Sequence, residues 1–301
     1  MKAMWSHQGG FTKLVLFFLL VFTSFAIFSL LAFLAAFPFM ENVSLTDAQS
    51  MSLSIDMMRY FQIVQSFSVF IIPSLLAGFL FWGHMTKGLA LVRANSGLIV
   101  LSLLIIISAQ PLVSYLGVWN SSMQMPDFLA GMEQWMQQSE DSARDIIYRF
   151  LDTDNSALLF INILMIAILP ALGEEMLFRG VLQPIFREWL KNKHLAILIT
   201  AFLFSAIHLQ FFTFLPRFFL GIALGYLMVW GHNLWYPIAG HFANNFLSLI
   251  VFYYYRHTNP EINPLSPETE QLPLTWLFIG SVAMIAFTTR FFSLKKQERS
   301  I

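Results

Sequence analysis

Eight long apolar stretches divide the chain, and no other feature restricts its fold as strongly. They run Leu14–Met40, Tyr60–Trp82, Leu98–Val118, from Ala157 through Glu175, Leu195–Phe212, Phe214–Trp230, Leu234–Tyr255 and Leu272–Phe292. A bilayer core takes about 20 apolar residues per helix, within a range of roughly 17–25, and each stretch approaches or exceeds that length. Composition agrees: of 301 residues 57% are hydrophobic and only 11% charged, whereas a soluble domain carries about a quarter charged residues. The expected fold is therefore all-α, a polytopic membrane bundle of about eight transmembrane helices forming a single domain over 1–301. The first stretch exceeds the roughly 7–15 residues of a cleaved signal core and reads as a membrane anchor. Internal repeats, low-complexity tracts and long linkers are absent from the sequence.

The charges predict an orientation. Lys2 and Lys13 precede the first stretch, Lys87 and Arg93 separate the second from the third, Arg187, Lys191 and Lys193 follow the fourth, and Lys295, Lys296 and Arg299 close the chain. With eight crossings these all fall on one side, so both termini are expected in the cytoplasm. The opposite loops carry Glu41, Asp47 and Asp56, then Glu261, Glu268 and Glu270. A formal net charge of zero gives no basic field to attract nucleic acid, and partners are expected in the lipid bilayer. No cysteine is present, which excludes disulfides, thiol nucleophiles and Cys-ligated metals.

Between the third and fourth stretches lies "MEQWMQQSEDSARDIIYRFL". Its apolar residues Met132, Trp135, Met136, Ile146, Ile147 and Phe150 recur at helical spacing, which predicts an amphipathic helix on the membrane surface. It serves either as a tether or as a wall facing substrate.

Few ionisable groups fall inside the apolar stretches. They are Glu174, Glu175 and Arg179 in the fourth, His208 in the fifth and His241 in the seventh. Arg217 and Arg290 lie near stretch ends and are expected to snorkel to the interface. A charge at the bilayer centre costs at least about 2.5–3.5 kcal/mol, so buried ionisable residues serve function or are tightly paired. Glu175 and Arg179 are four apart with the acid first, the favourable order for an ion pair on one helix face. Glu174 lies about 100° around the helix and is left free for chemistry. At about 1.5 Å per residue, Glu174 and His208 both lie roughly 20 Å from the basic side. His241 begins shallower, but Pro237 and Gly240 would allow a broken or re-entrant start. His241 and Asn245, four apart, can face one cavity.

A carboxylate shielded from water is a better general base near neutrality than one in solution. With a histidine beside it, it could deprotonate a water for attack on a carbonyl. A His N–H and an Asn amide would then hold the oxyanion. The set reads as water-activated amide hydrolysis within the membrane. H-E-x-x-H is absent, no stretch contains Asp, and neither Ser205 nor Ser281 sits in a G-x-S-x-G elbow.

"EEMLFR" (Glu174 to Arg179), "FSAIH" (Phe204 to His208) and "HFANN" (His241 to Asn245) resemble, in order and spacing, the E-E-x-x-x-R, F-x-x-x-H and H-x-x-x-N motifs of the CPBP family, the CAAX-protease and bacteriocin-processing (Abi) membrane proteins. The resemblance covers about residues 155–256, the expected catalytic core. It implies an eight-helix bundle and a metal-free intramembrane glutamate endopeptidase acting on a membrane-associated or lipidated peptide or protein. It also implies a multi-pass protein of a bacterial cytoplasmic membrane. By this resemblance Glu174 and His208 would activate water, His241 and Asn245 would form the oxyanion hole, and Glu175, Arg179 and Phe204 would orient the site. Three alternatives stay open: a zinc hydrolase with Glu174, His208 and His241 as ligands, a proton-coupled transporter, and a non-proteolytic scaffold or immunity protein. Substrate, cleavage site and oligomeric state are not legible in the sequence.

Overall fold

The computed structural model describes residues 3–39, 54–258 and 273–298. Among these residues there are helices and no strands. The long helices are α1 (Gly10–Ala36), α2 (Ile55–Trp82), α3 (Ser96–Ser121), α4 (Ala130–Leu151), α5 (Ser156–Leu190), α6 (Lys193–Ala206), α7 (Phe214–Gly231), α8 (Trp235–Thr258) and α9 (Leu274–Glu298). Six of them, α1, α2, α3, α5, the α7 region and α9, are long and apolar enough to cross a bilayer. The fifth and seventh expected crossings correspond to the two exceptions. α6 has only 14 residues, about 21 Å of rise, and α8 carries His241, Asn244 and Asn245 on its wall of the cavity.

Helix ends follow local chemistry. Asn95, Asn155 and Asn192 each accept backbone N–H groups at the starts of α3, α5 and α6, satisfying donors that a helix start leaves open. α5 runs for 35 residues, about 52 Å, so the glutamate pair expected near a span's end lies mid-helix. Wider π-turns at Ile163–Ile168 and Met176–Leu182 precede Pro170 and Pro184, and Ser66–Ile71 precedes Pro73 in the same way. Proline lacks an N–H and its ring crowds the carbonyl four residues back, and the widened turn accommodates both defects.

Lys13, Arg93 and Arg187 stand on segments that meet at one end of the bundle. Lys13 bonds both carboxylate oxygens of Glu188 at 2.9 and 2.8 Å, Trp5 N–H donates to Leu80 O, and Asn233 donates to the carbonyls of Val92 and Arg93 at 3.2 Å each. Lys2, Glu41, Asp47, Glu261, Glu268, Glu270 and Arg299 lie outside the described residues.

α6 and α7 pack through small residues. A Cβ on Gly221 would stand 3.0 Å from that of Ala201, and one on Gly225 would stand 2.9 Å from Ile197. Such small-residue pairs let helix backbones approach in lipid. Here the approach also bares two carbonyls, Gly221 O to Arg179 at 3.0 Å and Gly225 O to Gln183 at 3.1 Å. Both bonds span 42 residues, so α5 and α7 run side by side at that constant offset.

Candidate active site

At the centre of α5, Arg179 Nη1 donates to Glu175 Oε1 at 2.6 Å, and both side chains are fully buried. The expected pair thus forms. The guanidinium also faces the Phe204 ring, 4.6 Å from its centroid. Phe204 in turn sets its ring edge-to-face with His208 and His241, at centroid distances of 5.4 and 5.6 Å. One phenyl ring of α6 therefore touches groups from all three sequence motifs.

His241 Nδ1 lies 2.8 Å from the same Glu175 oxygen. Because a carboxylate accepts, Nδ1 carries the proton, and Nε2 points on toward Glu174 Oε2 at 4.0 Å. Glu175 thus holds Arg179 and His241 together, a link that spacing within α5 could not show. The fixed tautomer has a consequence: Nε2 donates a hydrogen bond only when the ring is imidazolium.

Glu174 points away from this pair. Its side chain is 13% exposed, it lines a cavity of about 870 Å³, and Oε2 has no hydrogen-bond partner among the described residues. His208, Phe204, His241 and Asn245 line the same cavity, so the expected site residues converge on it. Among the described residues no three of His, Asp and Glu stand together as metal ligands.

Two expectations about backbone need correction. His208 lies in a turn beyond α6, which ends at Ala206, and not inside a helix. Its Nδ1 donates to Phe204 O at 2.8 Å, which leaves Nε2 as an acceptor. Leu209 follows with φ 52°, and a 3₁₀ turn at Phe211–Thr213 leads into α7. Non-helical backbone at membrane depth requires partners within the protein. Here Asn120 bonds Phe211 O and Leu215 N, Glu140 accepts from Phe212 N and the Thr213 hydroxyl, and Ser205 donates to Phe214 O.

The second correction concerns α8, which is an unbroken helix from Trp235 with Pro237 in its first turn. His241 reaches the glutamates because α8 starts deep. Leu234 N donates to Ala90 O, and Leu234 packs beside Gly180 of α5. From that shared level, six residues of α5 lead back to Glu174 and seven of α8 lead on to His241, each about 10 Å of helix.

Asn245 donates to Ile166 O at 3.1 Å and accepts from Asn244, which accepts from Gln110. That polar chain from α3 to α5 was not singled out in the sequence. Gln110 meets Asn244 only because α3 and α8 approach each other, which spacing within either helix does not show. Arg217 does not snorkel outward. It lines the cavity and donates to Gln210 at 2.5 Å and Thr213 at 3.3 Å, whereas Arg290 is exposed as expected. α4 covers the cavity with Ala143, Ile147, Phe150 and Leu151. Its Phe150 carbonyl is held by Arg59 at 2.9 Å and Asn162 at 2.6 Å. Of its two readings, the wall of the cavity is the one its position matches.

Residues 156–247 match the family model described as Rce1-like, type II CAAX prenyl endopeptidase Rce1-like. The matched segment contains Glu174, Glu175, Arg179, Phe204, His208, His241 and Asn245. Comparison with curated proteins and with solved structures returned no match.

Proposed function

We propose, from the match of residues 156–247 to the Rce1-like CAAX prenyl endopeptidase model, that this chain is a multi-pass intramembrane endopeptidase using glutamate-activated water. The observation that carries the reading is the division between the two glutamates. Glu175 is fully buried with its Oε1 held by both Arg179 and His241, whereas Glu174 is 13% exposed and lines the cavity.

In this reading a water donates one hydrogen to Glu174 and the other to His208 Nε2. Its lone pair is thereby aimed at a substrate carbonyl carbon. Attack transfers the proton to Glu174 and places negative charge on the carbonyl oxygen. His241, protonated and held through Nδ1 by Glu175, presents Nε2–H to that oxygen, and Asn245 presents its second amide N–H. Donors fixed before the reaction cost no reorganisation as charge develops. Collapse of the intermediate returns the proton from Glu174 to the leaving amine. Arg179 and Phe204 act as positioning residues, the first through Glu175 and the second through both imidazole rings.

Comparative membrane peptidomics of cells carrying wild type or Glu174→Ala tests the reading. Product peptides that vanish in the variant, at equal protein abundance, are expected. Identical peptide profiles would sink the proposal.

A further inference from the structure

Arg217 is a partly buried cation whose hydrogen-bond partners are neutral groups. Among the described residues no acid stands within ion-pair distance of it. Its Nη2 is held by two neutral groups, the Gln210 carbonyl oxygen and the Thr213 hydroxyl, and its Nη1 is buried with no hydrogen-bond partner. The closest acid in the network is Glu140, one hydroxyl away. Its two oxygens are already committed to Phe212 N–H and the Thr213 hydroxyl. A charge with no carboxylate in direct contact is costly in an apolar setting, and Arg217 lines the cavity that contains Glu174.

The helix register fixes its depth. Arg179 bonds Gly221, and Gln183 bonds Gly225, each 42 residues on. The same offset sets Arg217 level with Glu175 and one residue from the level of Glu174. A positive fork thus stands on α7 at the height of the free glutamate on α5.

We propose that Arg217 is the substrate-anchoring residue of this site. With Gln210 and Thr213 steadying the guanidinium, it binds a carboxylate of the peptide within a few residues of the scissile bond. This rests on the peptidase reading above. A planar guanidinium matches a carboxylate through two parallel N–H···O bonds. On a peptide that group is the C-terminal α-carboxylate or an Asp or Glu side chain. The anchor fixes the chain so that one peptide bond lies over Glu174 and explains why the cavity retains a charge there.

The test uses full-length protein in nanodiscs and one mixed-sequence peptide library in three forms: unmodified, C-terminally amidated, and with Asp and Glu replaced by Asn and Gln. Wild type should cleave the unmodified form about 10- to 100-fold more efficiently than the form lacking the recognised carboxylate, the range of a hydrogen bond to a charged group. Which altered form loses cleavage identifies the source. Arg217→Gln should abolish the preference, raising KM more than it lowers kcat, and Arg217→Lys should restore part of it. Retention of the same libraries on Glu174→Ala protein gives a readout that needs no turnover. Cleavage with equal efficiency on all three forms would overturn the anchor and leave the peptidase reading standing. Retention that depends on carboxylate and on Arg217, without cleavage by wild type, would support the anchor and sink the peptidase reading. Arg217→Gln protein that folds and keeps the wild-type preference would also overturn it.

Discussion

The two halves of the bundle are built on opposite principles, and the boundary between them passes between adjacent residues. Toward the basic end, Arg179, Phe178, Val181, Leu182 and Ile185 are sealed against α1, α2 and α6. Away from that end, the first halves of α5 and α7 and the second halves of α3 and α4 stand back from one another around the cavity. Glu175 belongs to the sealed half and Glu174 to the hollow one. The difference shows how one dipeptide supplies a structural acid and a chemical acid: rotation of about 100° per residue turns the first into a packed network and the second into open space.

The largest effect that could break this comparison is at Glu174. Glu174→Gln should lower cleavage by about 10²–10⁴-fold, the share usual for a general base, with the thermal unfolding midpoint in detergent unchanged. If the variant unfolded early, the two glutamates would not differ in kind. Arg179→Ala should do the reverse, costing about 3–5 kcal/mol of stability because it removes the guanidinium from a buried carboxylate that keeps only His241 as a partner. The double variant Glu175→Gln, Arg179→Gln should be more stable than that single one, as unfolding curves in denaturant would reveal.

Smaller effects sharpen the boundary. Asn245→Ala removes one proposed oxyanion donor and should lower kcat by about 10²–10³-fold while leaving KM nearly unchanged. Steady-state kinetics on a product-yielding peptide measures this. Gly221→Ala forces α6 and α7 apart and weakens the Arg179 bond to Gly221 O. A cost of about 1–3 kcal/mol is expected from overpacking, read as a lowered unfolding midpoint. Activity should fall only in proportion to the folded fraction.

What could be read along one helix was read correctly from sequence. The Glu175–Arg179 pair follows from a four-residue spacing, and the described parts of the apolar stretches fall mainly on helices, with residues 207–210 of the fifth outside them. The first helix, for example, spans Gly10–Ala36 against an expected Leu14–Met40, with Met40 outside the described residues. Errors arose where a neighbouring element decides the outcome. Arg217 looks free to reach the interface by its place in the chain, but Gln210 and Thr213 turn it inward. α8 needed no re-entrant start, because the 89–93 segment receives Leu234 and Asn233 below the helix ends.

The sequence by itself determined the solvent of this protein, its helical class, the one ion pair internal to α5 and the residues from which the proposed site is drawn. Hydrophobicity and helical period are local properties, and so are those conclusions. Only the tertiary structure decided that Glu175 joins Arg179 to His241, that the tautomers of His208 and His241 are set by Phe204 O and Glu175, and that Arg217 stands level with the free glutamate. Each depends on the offset between helices distant in the chain, and that offset is set by where small residues let backbones touch.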